Sequence, residues 1–369
     1  MLTGNKGEWA ELYAFLKILS DSKLPSADAN LDIEPNRFFE FLSLIWNDTR
    51  NGTLVYKLDA DSIEILDTEN ALQKTVPTTQ VSSKIATIFT AIAAGSGRSF
   101  SIPEAEQVMQ NLMRTSLKAP SSEKADIFGT LVDRSTNTAE LSGFSVKSML
   151  KSKATLLNHS GATVFRYELE GMPLGHANEI AAITEETSDS YYMDRTKRIL
   201  ELGGRFQFHS IRKSRKKNQF EKTLRKIDTM LPEFVAEMLV GYFSRRGKSI
   251  DELVNYLAAS KAIENKYSFT LEKEDYVFKL KQLLSASALG MQPAKPWDGM
   301  MRANGGYLVV VQTGEVLCYH AFNRDVFLNY LFNNTVFESP GGRSAPYLEI
   351  IEENGKVYTD LKLQIRFTK

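Results

Sequence analysis

Asp126, Ser145 and Lys147 are residues whose types and spacing could act together on a bond. Ala125–Val132 and Glu140–Ser148 are apolar, β-rich segments flanking Asp133-Arg-Ser-Thr-Asn-Thr138, a run of turn-favouring residues, and the three read as a hairpin. With the turn centred between Ser135 and Thr136, Asp126 faces Ser145. Alternate side chains on a strand share a face, so Lys147 projects beside Ser145 toward the same carboxylate. A carboxylate and an ammonium at one end of a twisted hairpin can hold a hard cation and polarise a water molecule. The same two groups can equally form an exposed cross-strand ion pair, the commoner fate of such pairs. The elements around them decide between these readings.

Lys6–Ser20 carries Trp9, Leu12, Phe15, Leu16 and Leu19 at three- and four-residue spacing, the period of a helix that buries one side. Glu8 and Glu11 lie on the flank of that stripe, about 60° apart. Arg37–Trp46 repeats the signal and predicts a second helix. Thr53–Lys57 with Ser62–Leu66 predicts a small hairpin, Ser82–Ala94 a helix ended by Gly95-Ser-Gly97, and Pro103–Leu117 a helix started by its proline. A third strand follows the hairpin at Thr163–Leu169. Helices are expected at Gly175–Thr184, Tyr191–Leu202, Gln219–Met230, Pro232–Phe243, Ile250–Ile263 and Glu272–Ala288, with a strand at Arg205–Ile211. Strand character returns at Tyr307–Val311, Val316–His320, Tyr347–Glu352 and Val357–Phe367, around a helix at Asp325–Phe332. Boundaries near Glu170-Gly171-Met-Pro173 and Gln292–Pro296 divide the chain into residues 1–170, 171–296 and 297–369. The last segment's strands are free to rejoin the sheet of the first.

The 369 residues hold 45 Lys+Arg against 45 Asp+Glu and are 43% hydrophobic, so disordered, fibrous and collagen-like classes are excluded. A lone Cys318 inside an apolar run reads as a buried free thiol in a reducing cytosol. The N-terminus lacks an apolar signal core and no stretch approaches the length that crosses a bilayer, so a cytoplasmic protein is expected. His159, His176, His209 and His320 are too far apart for a zinc motif, and Gly95-Ser-Gly-Arg98 lacks the Gly-Lys-Ser/Thr of a phosphate-binding loop.

The hairpin resembles the core of the PD-(D/E)XK nucleases, in which an Asp ending one strand and an (Asp/Glu)-X-Lys on the next bind Mg²⁺ and activate water. The resemblance implies an α/β (α+β) fold, a mixed sheet flanked by helices, here with a large helical insertion. Ser145 stands where that pattern has an acid, and a hydroxyl is a poor substitute for a carboxylate. The second acid must come from elsewhere. Lys6-Gly-Glu-Trp-Ala-Glu11 resembles the helix that supplies a Glu beside the strands in that family, which favours Glu11, with Glu8 in reserve and Glu168 a further candidate.

Read over its whole length, the chain resembles the HpaII-type family of type II restriction endonucleases. The resemblance is carried in order by Gly4–Lys17, Gly143-Phe-Ser-Val-Lys-Ser148 with Thr155-Leu-Leu-Asn158, Met301-Arg-Ala-Asn-Gly-Gly-Tyr307 with Val316–His320, Asn333-Asn-Thr335 and Leu363–Phe367. It implies a Mg²⁺-dependent endonuclease cutting double-stranded DNA at a short palindrome such as CCGG, blocked by methylation from a companion methyltransferase. Cutting both strands of a palindrome favours a homodimer. By the family pattern Asp126 and Lys147 carry over directly, and Asn158 becomes a candidate site-supporting or DNA-contacting residue.

DNA would be held by cations. Arg212-Lys-Ser-Arg-Lys-Lys217 places Arg212, Lys213, Arg215, Lys216 and Lys217 in six residues, and Arg245, Arg246 and Lys248 form a second cluster. Arg302, Asn304 and Arg343, on Gly-rich loops, are candidates for reading base edges. A solvated loop is the plain alternative for the basic runs, and a hairpin-turn arginine for the base-reading candidates. Two other functions remain open on the same fold: a catalytically inactive sequence- or methylation-reading protein, and a structure-specific repair nuclease.

Overall fold

A computed structural model describes residues 1–368 apart from 119–124, 134–137, 151–153, 185, 187, 189, 214–217, 268–269 and 340–347. The chain begins with α1 (Lys6–Asp21), β1 (Lys23–Ala27), β2 (Ile33–Asp48), β3 (Gly52–Leu58), β4 (Ser62–Leu66), β5 (Leu72–Pro77), α2 (Thr79–Ala94), α3 (Pro103–Asn111), β6 (Ile127–Asp133) and β7 (Thr138–Ser148). There follow β8 (Thr155–Leu157), β9 (Val164–Glu170), α4 (Ala177–Ala181), α5 (Tyr191–Glu201), β10 (Arg205–Ile211), α6 (Gln219–Ile227), α7 (Leu231–Phe243), α8 (Ile250–Ser260), α9 (Ala262–Tyr267) and α10 (Lys273–Leu289). It closes with β11 (Gly306–Val310), β12 (Val316–His320), α11 (Arg324–Asn333), β13 (Thr335–Phe337), β14 (Ile351–Glu353), β15 (Lys356–Lys362) and β16 (Ile365–Phe367). Two compact units result: Met1–Ala154 with Met301–Tyr330, and Thr155–Met300 with Leu331–Thr368.

The first unit is built on a nine-stranded sheet in the order β1-β12-β11-β7-β6-β2-β3-β4-β5. β11 runs parallel to β7, and β1 parallel to β12, within an otherwise antiparallel ladder, so the sheet is mixed. The late strands β11 and β12 thus join the sheet of the N-terminal segment. Gly306 makes the junction possible: its φ of 105° suits glycine, and a Cβ there would lie 2.0 Å from the Tyr319 carbonyl oxygen.

α1 is the helix on which this unit's core closes. Asn5 caps it, its side chain accepting from Gly7 N and Glu8 N, while Glu8 accepts from Asn5 N in return. Trp9, Leu12, Phe15, Leu16 and Leu19 are buried, and so are Ala10, Tyr13, Ala14 and Ile18, so apolar surface wraps most of the helix. The helix packs on β7 and α2. Tyr13 donates to the Gly314 carbonyl at 2.6 Å in the turn between β11 and β12, and Trp9 Nε1 donates to Phe100 O at 2.9 Å.

Residues 37–46, predicted helical, form the middle of strand β2. Phe41, Leu44 and Trp46 are buried, and the pairing with β6 slips by one residue between Phe41 and Ser43. That bulge sets the core positions Phe41 and Leu44 three apart, so a strand imitates helical spacing locally. α3 ends at Asn111 rather than continuing to Leu117, because Met113 turns left-handed at φ 57°. The chain beyond it is captured by Asp48, which accepts from Thr115 N at 2.6 Å, Thr115 Oγ1 at 2.7 Å, Arg50 N at 2.9 Å and Asn51 N at 3.0 Å. β1 and β5 carried too few apolar residues to be recognised. β5 is an edge strand buried at Val76 and exposed elsewhere.

In the second unit α7 is buried along nearly its whole length. It packs against the sheet β10-β9-β15-β14, where Tyr167 donates to Ala236 O at 2.8 Å. A smaller sheet, β13-β16-β8, completes the unit. Helices α4–α10 are strung with β10 between β9 and β11. Cys318 is buried in β12, and burial pushes its thiol pKa up. Among the described residues no helix is long and apolar enough to cross a membrane.

Burial raises the Asp48 pKa, but the hydrogen bonds from Thr115, Arg50 and Asn51 outweigh it and hold the carboxyl below 3.8. A depressed acid stabilises the fold above its unfolded pKa and loses that contribution as pH falls through the folded one. Asp48→Ala is expected to cost about 3 kcal/mol at neutral pH. In chemical denaturation its deficit should shrink below pH 3.8; a deficit independent of pH contradicts this.

Candidate active site

The hairpin register is the one expected for a turn centred between residues 135 and 136, although residues 134–137 themselves lie outside the described residues. Ile127 pairs with Phe144, Phe128 with Gly143 and so on to Asp133 with Thr138, which sets Asp126 beside Ser145. Asp126 N donates to Phe144 O at 2.7 Å, anchoring the residue at the mouth of the ladder. Its Oδ2 accepts from Val146 N at 2.7 Å and from Ser145 Oγ at 3.1 Å. Lys147 Nζ donates to Ser145 Oγ at 3.1 Å. A continuous relay therefore runs from ammonium through hydroxyl to carboxylate, and the serine in the acid's place is what joins them.

β11 completes the wall. Its parallel ladder sets Tyr307 against Ser145 and Val309 against Lys147. The Lys147 ammonium lies 5.0 Å from the Tyr307 ring centroid. Tyr307 itself is fixed by Phe327 of α11, their ring centroids 5.4 Å apart. Burial pulls the Lys147 pKa down, and the negative charges of Asp126 and Glu11 oppose that pull.

Of the two N-terminal acids, Glu11 shares this field and Glu8 has other work. Glu8 closes the α1 capping box and pairs with Lys118 Nζ at 2.9 Å; burial raises its pKa, but those bonds prevail and lower it. Glu11 is pushed up to about 8, first by burial, then by the charges of Asp126 and Glu8, against the pull of Lys147 and Arg114. The charge of Asp126 thus adds to burial in disfavouring the ionised form of Glu11. A divalent cation would supply the positive charge that offsets both. Among the described residues no group of three or more His, Cys, Asp or Glu side chains is arranged to hold a metal. Asp126 and Glu11 nonetheless fit a hard cation that takes one or two carboxylates and fills its other positions with water and phosphate oxygens.

Sequence reasoning missed Arg114, which has no motif around it. Its guanidinium is buried 3.4 Å from the Trp46 ring centroid and 4.6 Å from that of Phe15. Nε donates to Ser116 O at 3.0 Å and one terminal nitrogen to Leu117 O at 2.7 Å, while Nη1 has no hydrogen-bond partner. Burial lowers its pKa to about 9, opposed by Tyr56, Glu11 and Asp48, so the group stays cationic at neutral pH. It ties the stretch that leads from α3 toward Asp126 to the same core as α1.

A family model of the HpaII restriction endonuclease matches residues 5–367. The chain is 34% identical over 369 residues to the type II restriction enzyme HpaII of Haemophilus parainfluenzae, covering 99% of this chain and 98% of that protein. The chain belongs to the HpaII restriction endonuclease family. It is a type II, site-specific endonuclease that acts on double-stranded DNA. No solved structure matches it.

The remaining residues singled out for an HpaII-family enzyme are scattered. Asn304 accepts from Gly143 N at 2.9 Å through Oδ1, and Gly305 N donates to Gly143 O at 2.8 Å, so the loop carrying exposed Arg302 is stitched to the start of β7. Gly143 admits this approach because a Cβ there would meet Ala125 Cβ at 2.8 Å and Arg302 O at 3.2 Å. In the second unit Glu168 pairs with Lys356 at 2.8 Å, and Asn158 is exposed just after β8. Arg212 and Lys213 are exposed at the end of β10. Arg245 bonds Ser190 Oγ at 2.7 Å and Asp194 Oδ1 at 3.0 Å, bracing α5, whereas Arg246 faces solvent. Arg215, Lys216, Lys217 and Arg343 lie outside the described residues.

An acid whose folded pKa is raised destabilises the fold as pH climbs above its unfolded value, here from 4.5 toward about 8. Glu11→Gln should therefore raise the metal-free Tm by several degrees at neutral pH while abolishing cleavage. Its thermal advantage should fade as pH falls to 4.5. A lower Tm at neutral pH would show that Glu11 is not under this strain.

Proposed function

We propose that this endonuclease uses Mg²⁺ at a PD-(D/E)XK-type site to hydrolyse one phosphodiester in each strand of a short palindrome, CCGG-like by family resemblance. The observation that carries the reading is the relay Lys147–Ser145–Asp126 with Glu11 in the same electrostatic field. Asp126 and Glu11 would hold the ion, with Glu8 left to its cap. Bound there, Mg²⁺ lowers the pKa of water and neutralises charge on the scissile phosphate.

The side chains do the rest. Lys147, steered by Ser145 Oγ and the Tyr307 ring, orients the attacking water and offsets the extra negative charge on phosphorus in the transition state. The 3′ oxygen departs in line, leaving a 5′-phosphate. Val146 N and Ser145 Oγ fix the Asp126 carboxylate, so its orientation costs nothing at the moment of reaction. Two such sites for two strands favour a homodimer, with α4–α10 as an insertion in the nuclease core and a companion methyltransferase guarding the same sequence. Arg302, on the loop that Asn304 stitches to β7, is the candidate in the first unit for reading a guanine edge, with Asn304 beside it.

The test is incubation of the purified chain with long unmethylated DNA in Mg²⁺, with the fragment ends sequenced. Discrete fragments ending at one palindrome are expected, absent in EDTA and slowed about 10²–10⁴-fold by Lys147→Ala. Specific binding without cleavage in Mg²⁺ or Mn²⁺ would overturn the catalytic reading and make Ser145 the mark of a lost site.

A further inference from the structure

We infer that Asn304 is a positioning residue that sets the loop 301–304 against strand β7, and so links the reading of a guanine edge by Arg302 to cleavage by the residues of that strand. The inference rests on the proposed base reading by Arg302, and it gives Asn304 a different part from the base contact its residue type suggested.

Successive residues of a strand turn their N–H and C=O groups to opposite neighbours. Phe144 turns its carbonyl toward β6, where it accepts from Asp126 N at 2.7 Å. Gly143, one residue earlier and buried, faces the β11 side, but β11 starts at Gly306, opposite Phe144. The backbone groups of Gly143 therefore lie just beyond the end of the parallel ladder. Gly305 N takes the carbonyl at 2.8 Å, and Asn304 Oδ1 takes the N–H at 2.9 Å. A side chain thus stands in for the missing strand partner, and without it a buried N–H would go unpaired. The donor at Gly143 fixes which end of the amide is the oxygen. With Oδ1 turned to the strand, Asn304 does not present outward the acceptor–donor pair with which an asparagine grips adenine.

The contact is close because side chains are missing where the two backbones meet. A Cβ on Gly305 would lie 2.9 Å from Gly143 O, and one on Gly143 would lie 3.2 Å from Arg302 O and 2.8 Å from Ala125 Cβ. Gly143 is thus held between the residue that precedes Asp126 and the loop that carries Arg302. Ser145 and Lys147 follow it along the strand, about 7 and 13 Å away. Within the loop, Gly306 N donates to Ala303 O at 3.1 Å and Ala303 is buried, so the turn is pinned while Met301 and Arg302 are exposed. A shift of Arg302 on meeting a base therefore reaches Gly143, and through it both the Asp126 and the Ser145 side of the relay.

The experiment uses the full chain and two duplexes, one carrying the palindrome it cuts and one with a single G·C pair of that palindrome replaced. Affinity is measured in EDTA, and the single-turnover cleavage rate in Mg²⁺ with enzyme saturating, for wild type, Asn304→Ala, Asn304→Asp and Arg302→Ala. Asn304→Ala should bind the cognate duplex within about two-fold of wild type yet cut it about 10- to 100-fold more slowly. Asn304→Asp, which keeps the acceptor and loses the amide donor, should recover most of that rate. Arg302→Ala should erase the affinity difference between the two duplexes. A loss of cognate affinity in Asn304→Ala that matches Arg302→Ala would make Asn304 a base reader and overturn the inference. An unchanged cleavage rate in Asn304→Ala, or no recovery in Asn304→Asp, would overturn it too. Should Asn304→Ala fail to melt cooperatively, Asn304→Ser, whose shorter side chain withdraws the acceptor from Gly143 N, takes its place under the same expectations. An affinity difference that survives in Arg302→Ala would refute the base reading on which the link rests, a failure seen in that variant and not in those of Asn304.

Discussion

The crowding of Glu11 against Asp126 is the constraint from which the rest of the first unit follows. A carboxyl such as Glu11 is not buried within the field of another acid unless something larger forces it there. The force is the burial of α1: Trp9, Leu12, Phe15, Leu16 and Leu19 lose essentially all their exposure, and each such side chain contributes about 1.5–3 kcal/mol. The apolar face holds the helix down, and Glu11 rides on it into an unfavourable place. Hydrophobic burial thus holds a carboxyl where its charged form is disfavoured.

The surrounding residues tune that strain. Lys147 and Arg114 supply positive charge without quenching the acids, Lys147 through the Ser145 hydroxyl and Arg114 from between two aromatic rings. Asp48 restrains the segment beyond Arg114, and Tyr13 restrains the β11–β12 turn. The late strands matter for the same reason: β11 lays Tyr307 beneath the lysine, so the C-terminal part of the chain furnishes a wall beside Glu11 and Asp126.

The hairpin was legible in the sequence because both of its determinants are local, the turn residues and the alternation. Asp126, Ser145 and Lys147 followed from register arithmetic alone. Glu11 was legible as one of two acids on a helix flank; choosing it over Glu8 needed the cap and the Lys118 pair, which are tertiary facts. Residues 37–46 misled because a bulge disguised a strand as a helix. Arg114 was invisible, since its meaning comes from Phe15 and Trp46, far away in sequence. In the second unit Arg212 announced itself in a basic run, whereas its ion pair with Asp360 is set by β15 and β10 flanking β9.

The central claim is that Glu11, not Glu8, is the second acid that replaces the one missing at Ser145. Calorimetric titration of Mn²⁺ into the DNA-free chain, with Glu8→Gln and Glu11→Gln alongside wild type, tests it directly. The account predicts that Glu8→Gln binds the ion as wild type does and that Glu11→Gln loses binding by about ten-fold or more. Equal affinity in Glu11→Gln and wild type, or a loss confined to Glu8→Gln, would contradict it.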